Sequence, residues 1–338
     1  VVGCALLGCA LGATAAGQEE HATKRHPSAR KAHKPHTGPK AHQSRGGLLW
    51  SDGFSSGGFG AWDALDGNTS SRAAIERYFA IVHNPAGRGR VFRATVDGGA
   101  STPGEYGQRS LLELFPDSER RGRALSEGIQ GRDRWFHASV YFPKNFTPAQ
   151  HTDWNWAIEW HNWPETTCCE NLAVTVDTDP TRGHGWRLSL RSEGGGDPQH
   201  PVEAYPAYPR QAGTTHDDHI VGARHLRRGH WYDILMHVVW DYRPQYGLVQ
   251  WWLDGKRIIS RHTSTLYWYS DADADLSGSQ PGPGRTYLEV GYYRDNRLLN
   301  GSTATSVESV YLANIKVGLN CRSVVSGAFA KRPASACR

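Results

Sequence analysis

Residues 154–163 read W-N-W-A-I-E-W-H-N-W. On an extended strand the side chains alternate, so Trp154, Trp156, Ile158 and Trp160 face one way and Asn155, Ala157, Glu159 and His161 the other. The first set suits a core between sheets. The second puts a titratable imidazole beside a carboxyl and an amide on an open face. Residues 286–295, T-Y-L-E-V-G-Y-Y-R-D, repeat the arrangement. Leu288, Val290 and Tyr292 make a buried set, and Tyr287, Glu289 and Tyr293 an exposed one, with Gly291 leaving space between the phenols. A glycine inside a strand often marks close approach of a ligand, and two phenols flanking such a gap suit a sugar. Arg109, next to Gln108, and Arg187 and Arg191 on the polar face of another strand offer guanidinium forks that pair with carboxylates. Trp252 lies with Gln250 opposite Val249, Trp251 and Leu253, so its indole is a candidate to stack on sugar C–H faces. Together these residues suit acid–base chemistry on an anionic carbohydrate.

The elements that must hold them have a period of two. Phe136, Ala138, Val140 and Phe142 alternate with Trp135, His137, Ser139 and Tyr141, while Leu172, Val174 and Val176 alternate with Ala173, Thr175 and Asp177. Similar runs occupy residues 186–191, 232–240, 247–253, 287–294 and 310–317, separated by Gly, Pro, Asp and Ser clusters. Asp254-Gly255 closes one of them as a turn. Only residues 71–78 and 118–127 suggest short helical turns. Many half-buried strands without intervening helices predict an all-β protein, a jelly-roll sandwich of two antiparallel sheets. Residues 47–338 are expected to form one such domain.

Charge separates that domain from what precedes it. The net charge of the 338-residue chain is +5, and residues 19–46 account for all of it with seven Lys and Arg against two Glu. The basic balance therefore describes a segment, not a basic fold, and argues against nucleic-acid binding. Residues 18–46, rich in His, Lys, Pro and Gly, bury too little to offset ordering entropy and are expected to be a disordered linker, with contact to an anionic cell envelope as its possible use. Residues 1–17 read as the apolar part of a secretion signal, with Leu6-Leu7-Gly8-Cys9 as an alternative lipoprotein signal. A secreted or envelope-associated protein is the expectation. No apolar run reaches the roughly 18–20 residues of a membrane span. Outside the leader stand Cys168, Cys169, Cys321 and Cys337, an even number for an oxidising compartment. Adjacent Cys168 and Cys169 are poor partners for each other, so Cys321 either joins Cys337 or each joins one of the adjacent pair. No metal-binding spacing accompanies them. No cofactor is required, and Asp271, Asp273 and Asp275 are as readily a solvated turn as part of a structural calcium site.

The order of R-W-F-H-A-S-V-Y-F-P (134–143), W-N-W-A-I-E-W-H (154–161), W-R-L-S-L-R (186–191), W-Y-D-I-L-M-H-V-V-W (231–240), G-L-V-Q-W-W-L-D-G-K (247–256) and Y-L-E-V-G-Y-Y-R-D (287–295) resembles the polysaccharide lyases of the heparin lyase I-like group. These are concanavalin A-like jelly rolls, related in architecture to alginate and glucuronan lyases. The resemblance covers roughly residues 48–318. It implies a monomeric enzyme that cleaves a uronate-containing anionic polysaccharide by β-elimination. His161 matches the strand histidine of that group, Tyr287 and Tyr293 its Y-x-K-x-G-x-Y tyrosines, and Arg109 its early arginine. Glu289 replaces the lysine between the tyrosines, and Leu111 stands where an acidic residue is expected, with Glu113 two further on.

Elimination fits the residue types as well. A cation or amide must neutralise the carboxylate, which suits Arg109 and Gln108. His161, with an ordinary pKa of about 6.5, is the favoured base, and Tyr293 or Tyr287 the acid. Tyr287 as a phenolate base stays open. Two rival readings accompany this one. A glycoside hydrolase would need paired carboxylates, but the common E-x-D-x-x-E strand is absent. A non-catalytic carbohydrate-binding protein would use the aromatic sheet alone, with Glu289 marking lost activity.

Overall fold

The computed structural model describes residues 46–67, 72–87, 89–98, 107–115, 128–147, 155–163, 170–179, 185–192, 220–224, 227–269, 282–295, 305–326 and 337. The side chains of 72–74, 170, 177–179, 185–192, 220–224 and 269 lie outside that description. One sheet runs in the order β13 (Lys256–His262), β12 (Leu248–Leu253), β11 (His230–Val239), β6 (Asp133–Phe142), β17 (Val307–Gly318), β4 (Arg90–Asp97) and β3 (Phe79–His83), and β1 (Leu48–Asp52) also pairs with β17. The second runs β10 (Ile220–Arg224), β9 (Gly185–Ser192), β8 (Glu170–Asp179), β7 (Asn155–Trp163), β16 (Arg285–Arg294), β5 (Gln108–Leu114) and β2 (Ala64–Gly67). β14 (Trp268–Tyr269) and β15 (Gly282–Pro283) form a small ribbon. Pairing is antiparallel within both sheets, and strands distant in sequence meet at β6–β17 and β7–β16. This is the expected jelly-roll sandwich.

The alternating runs explain why these segments pair face to face. Phe136, Ala138, Val140 and Phe142 of β6 and Ile234, Met236 and Val238 of β11 pack against Ile158 and Trp160 of β7, Leu172, Val174 and Val176 of β8 and Leu288, Val290 and Tyr292 of β16. Trp160, fully buried, meets Phe136 edge-on at 4.9 Å and Trp240 at 6.3 Å. Each such side chain contributes about 1.5–3 kcal/mol by leaving water. Asp254 and Gly255 turn β12 into β13 with φ of 50° and 83°, the paired positive values of a tight hairpin. The short helix foreseen near residues 71–78 is α1 (Arg72–Tyr78). Residues 118–127 lie outside the described residues, as do Cys168, Cys169, Asp271, Asp273 and Asp275. Among the described residues no helix is long and apolar enough to cross a membrane.

Cys321 bonds Cys337, which selects one of the two pairings left open. Cys321 starts α2 (Cys321–Val324), capped by Asn320, whose side chain accepts a hydrogen bond from the Ser323 amide at 3.0 Å. This stapled segment covers the outer face of the first sheet. Trp252 packs there with Leu235, Cys321 and Val324 and is 4 % exposed. It therefore belongs to a small second core on the other sheet, not to a sugar surface shared with His161. Strand alternation gave its face but could not give its sheet.

Candidate active site on the second sheet

The face of the second sheet turned away from the core carries most of the reactive residues. On β16, Leu288, Val290 and Tyr292 point into the core, so Tyr287, Glu289 and Tyr293 point the other way. On β5, Arg109 is opposite Tyr293 and Glu113 is opposite Glu289. On β7, His161 is opposite Tyr287 and Glu159 opposite Glu289. Three adjacent strands thus present Arg109, Glu113, Tyr287, Glu289, Tyr293, Glu159 and His161 together.

β7 does not keep strict alternation, which corrects two sequence expectations. Its register with β8 shifts between Trp156 and Ile158, and its register with β16 shifts between Val290 and Tyr293. Ala157 is the extra residue against β8, and such a bulge reverses the facing of everything before it. Trp156 consequently leaves the core side and meets the Tyr293 ring edge-on at 5.1 Å. Asn155 turns inward and accepts a hydrogen bond from the Tyr292 hydroxyl at 3.2 Å, so it is a core amide and no substrate ligand. Gln108 is corrected in the same way. Buried to 2 %, it accepts a 2.6 Å hydrogen bond from Nε of Arg294, whose guanidinium also donates to the Ser306 hydroxyl at 3.0 Å.

Gly291 owes its conservation of space to the neighbouring strand, not to a ligand. A Cβ there would lie 2.0 Å from the Ser110 carbonyl oxygen and 2.9 Å from Leu111 Cα. Gly107, with φ of 77°, turns the chain into β5 directly beneath Tyr293, where a Cβ would strike the ring at 2.3 Å. Both glycines let backbone and phenol close up at the Arg109 end of the face.

Two aromatic clusters flank a row of carboxyls. At one end the Tyr287 ring lies 5.6 Å from the His161 imidazole and is enclosed by Trp163 at 5.7 Å and Phe115 at 5.2 Å. Tyr287 is 1 % exposed, whereas His161 is partly open. At the other end Arg109 stands 5.8 Å from the Tyr293 ring centre, and its Nε is 2.7 Å from Asp66 of β2. Between them, Glu113, Glu289 and Glu159 stand opposite one another on successive strands, exposed by 6 %, 3 % and 1 %. Tyr287 and Glu289 face as expected, but they are covered and not exposed.

Asp66, Glu113 and Glu289 can each bring an oxygen within 4.8 Å of the others. That spacing would admit a divalent cation, but acidic groups gather without one, and here Arg109 supplies positive charge to Asp66. Burial works against the Arg109 charge, and Asp66, Tyr293, Glu289 and Glu159 together more than offset it, so the guanidinium is held above its ordinary range. Burial, then Glu159, push the Glu289 carboxyl well above the usual carboxylate range. The side chains of Arg187 and Arg191 lie outside the described residues. Sequence reasoning missed Asp66, on a four-residue strand with no distinctive pattern, and Trp156, hidden by the bulge.

A family model described as Polysaccharide lyase matches residues 54–316. The chain belongs to the polysaccharide lyase family. This lyase is thus a carbon–oxygen lyase, which removes the hydrolase and the purely binding readings as descriptions of its family. No curated protein matches it. Among solved structures, the endo-β-1,4-glucuronan lyase from the fungus Trichoderma reesei is 14 % identical with a TM-score of 0.55, covering 82 % of this chain and 98 % of that one. That likeness shows the jelly-roll fold. An alginate lyase from Pseudomonas aeruginosa is 13 % identical with a TM-score of 0.42, over 74 % of the lyase and 87 % of its own chain.

Proposed function

We propose that this lyase cleaves a uronic-acid polysaccharide of the glucuronan or alginate kind by β-elimination, and that it works outside the cell or at the envelope. The order of its strand motifs supports a place in the heparin lyase I-like group, and the apolar residues 1–17 support export. One observation carries the chemical reading: Arg109, Tyr293, Glu159, His161 and Tyr287 share one face of three adjacent strands.

In this reading the polysaccharide lies across the strands, with His161 on one side of the trough and Tyr293 on the other. Bulges in β7 and β16 fall between those two ends, where bulges bend strands. Arg109 holds the uronate carboxylate and stabilises the charge that develops when the α proton leaves. Tyr293 as a phenolate, with Arg109 5.8 Å from its ring centre, takes that proton, and the electron pair forms the new C=C bond as the glycosidic C–O bond breaks. The phenol so formed returns the proton to the leaving oxygen, while His161, about 16–20 Å away along the strands, binds a neighbouring sugar. Tyr287, sealed behind the imidazole, positions His161 and does not touch substrate. No metal or other cofactor enters this scheme.

Incubation with glucuronan, alginate, heparin and hyaluronan tests it. Elimination creates ultraviolet absorbance from the conjugated double bond, hydrolysis gives reducing ends without it, and binding alone gives neither. Tyr293→Phe is expected to lower kcat by about 10²–10⁴-fold, the usual value of a proton-transfer group, with KM changed far less, and His161→Ala to raise KM with kcat changed far less. Wild-type kcat in Tyr293→Phe removes that residue from the mechanism, and wild-type KM in His161→Ala removes the sugar contact.

A further inference from the structure

Glu289 poses a chemical problem, because an ionised carboxylate beside an anionic sugar repels it. We propose that Glu289 carries a proton when substrate binds and donates it in a hydrogen bond to the uronate carboxylate, so that a neutral donor does the work of a positive charge. The inference rests on the elimination reading of this face.

Register makes the argument. Glu113, Glu289 and Glu159 are direct cross-strand partners on β5, β16 and β7. Side chains so placed stand about 4.5–5.5 Å apart at their bases, close enough for the carboxyls to touch. Glu289, in the middle, brings a carboxyl oxygen within 4.8 Å of one on Glu113, and Glu159 stands across from it on β7. Two ionised carboxylates offer acceptors only, so a hydrogen bond between Glu289 and one of its neighbours needs a proton. The same situation in aspartic dyads leaves one proton shared between two groups.

The surroundings place that proton on Glu289. From β5 it faces Glu113 and Arg109, from β2 Asp66, and from β7 Glu159 and His161, with Tyr287 and Tyr293 on its own strand. Arg109 pairs with Asp66 at 2.7 Å and is part of the same electrostatic group. Glu289 has a carboxyl on each side and is 3 % exposed, so both charge and burial oppose its ionised form. That proton serves a neighbouring carboxyl until the uronate carboxylate arrives and takes its place, reached through the 3 % of Glu289 that is exposed. Raising the pH removes its proton and turns an attraction into a repulsion, so substrate affinity falls on the alkaline side.

Two measurements test this. The first is the infrared difference spectrum of wild type minus Glu289→Gln at pH 7, without substrate. A protonated-carboxyl C=O band that the substitution removes is expected, and its absence overturns the proposal. The second is KM against pH on whichever uronan is cleaved. Wild-type KM should rise on the alkaline side, and Glu289→Gln, a neutral donor that does not titrate, should lose that rise. Glu289→Ala should raise KM about tenfold at pH 7, the value of one hydrogen bond to a charged group, with Gln recovering most of it. An equal alkaline rise in the Gln variant overturns the proposal, as does activity lost to EDTA and restored by calcium, since the carboxyls would then hold a cation. The infrared result needs no turnover. If no uronan is cleaved, the elimination reading fails while the proton on Glu289 still stands or falls by its band.

Discussion

Gly291→Ala tests the register that builds the site. The added methyl would overlap the Ser110 carbonyl oxygen at 2.0 Å and crowd Leu111 Cα and the Ser110 carbonyl carbon at 2.9 Å. All three are backbone atoms of β5, so no side-chain rotation relieves the clash. Either the β5–β16 hydrogen bonds lengthen around Gly291 or the strand pair parts locally. Overpacking of this kind costs about 1–3 kcal/mol, and the backbone contacts here put the expectation at the upper end. In a domain of this size about 2–3 kcal/mol lowers Tm by roughly 4–10 °C. Glu289 sits two positions from Gly291, and Arg109 one position from Ser110, so the lyase rate should fall with stability. Thermal unfolding followed by circular dichroism measures the first effect and ultraviolet absorbance on uronan the second. Gly53→Ala is the control, because its Cβ meets nothing within 4 Å. A Gly291→Ala protein melting within 1 °C of wild type, by that same roughly 1 kcal/mol-per-few-degrees scale, would refute the packing argument.

Three other outcomes follow from named contacts. Gln108→Ala removes the 2.6 Å acceptor of the buried Arg294 guanidinium and should cost about 1.5–3 kcal/mol in urea unfolding, a loss too large for a surface ligand. Breaking Cys321–Cys337, by Cys321→Ala with Cys337→Ala, opens a loop of 16 residues and should cost about 3 kcal/mol on the chain-entropy scale, with Trp252 fluorescence shifting as its cover loosens. His137 sits buried between β11 and β17 with Nδ1 2.8 Å from the Asn314 carbonyl, and burial lowers its pKa below the ordinary value. Its unfolded form binds the proton more readily, so the contribution is whole above about pH 6.5 and is lost as pH falls below that value. Melting from pH 8 to 5 should show this decline, and His137→Gln should flatten it.

Much of this was legible in the chain. Runs such as Phe136 to Phe142 and Leu172 to Val176 bury alternate side chains, so their order alone named the two-sheet architecture. His161, Glu159, Tyr287, Glu289 and Tyr293 also came out on one face, because β16 alternates without a break in its facing and β7 does so after Ala157. Asn155 and Trp156 exchanged faces because a bulge adds one residue at a place no composition marks. Gln108 was misread because Arg294, its partner, is 186 positions away.

Local spacing determined which side chains alternate and which chemistries were present, since each depends on neighbours two positions apart. Strand partnership was decided only by the folded chain. It set Glu113, Glu289 and Glu159 in one row, put Asp66 on Arg109 and sent Trp252 to the opposite sheet. The physical reason is that pairing between distant strands is fixed by packing over the whole sandwich, and a carboxyl's charge depends on what that packing places beside it.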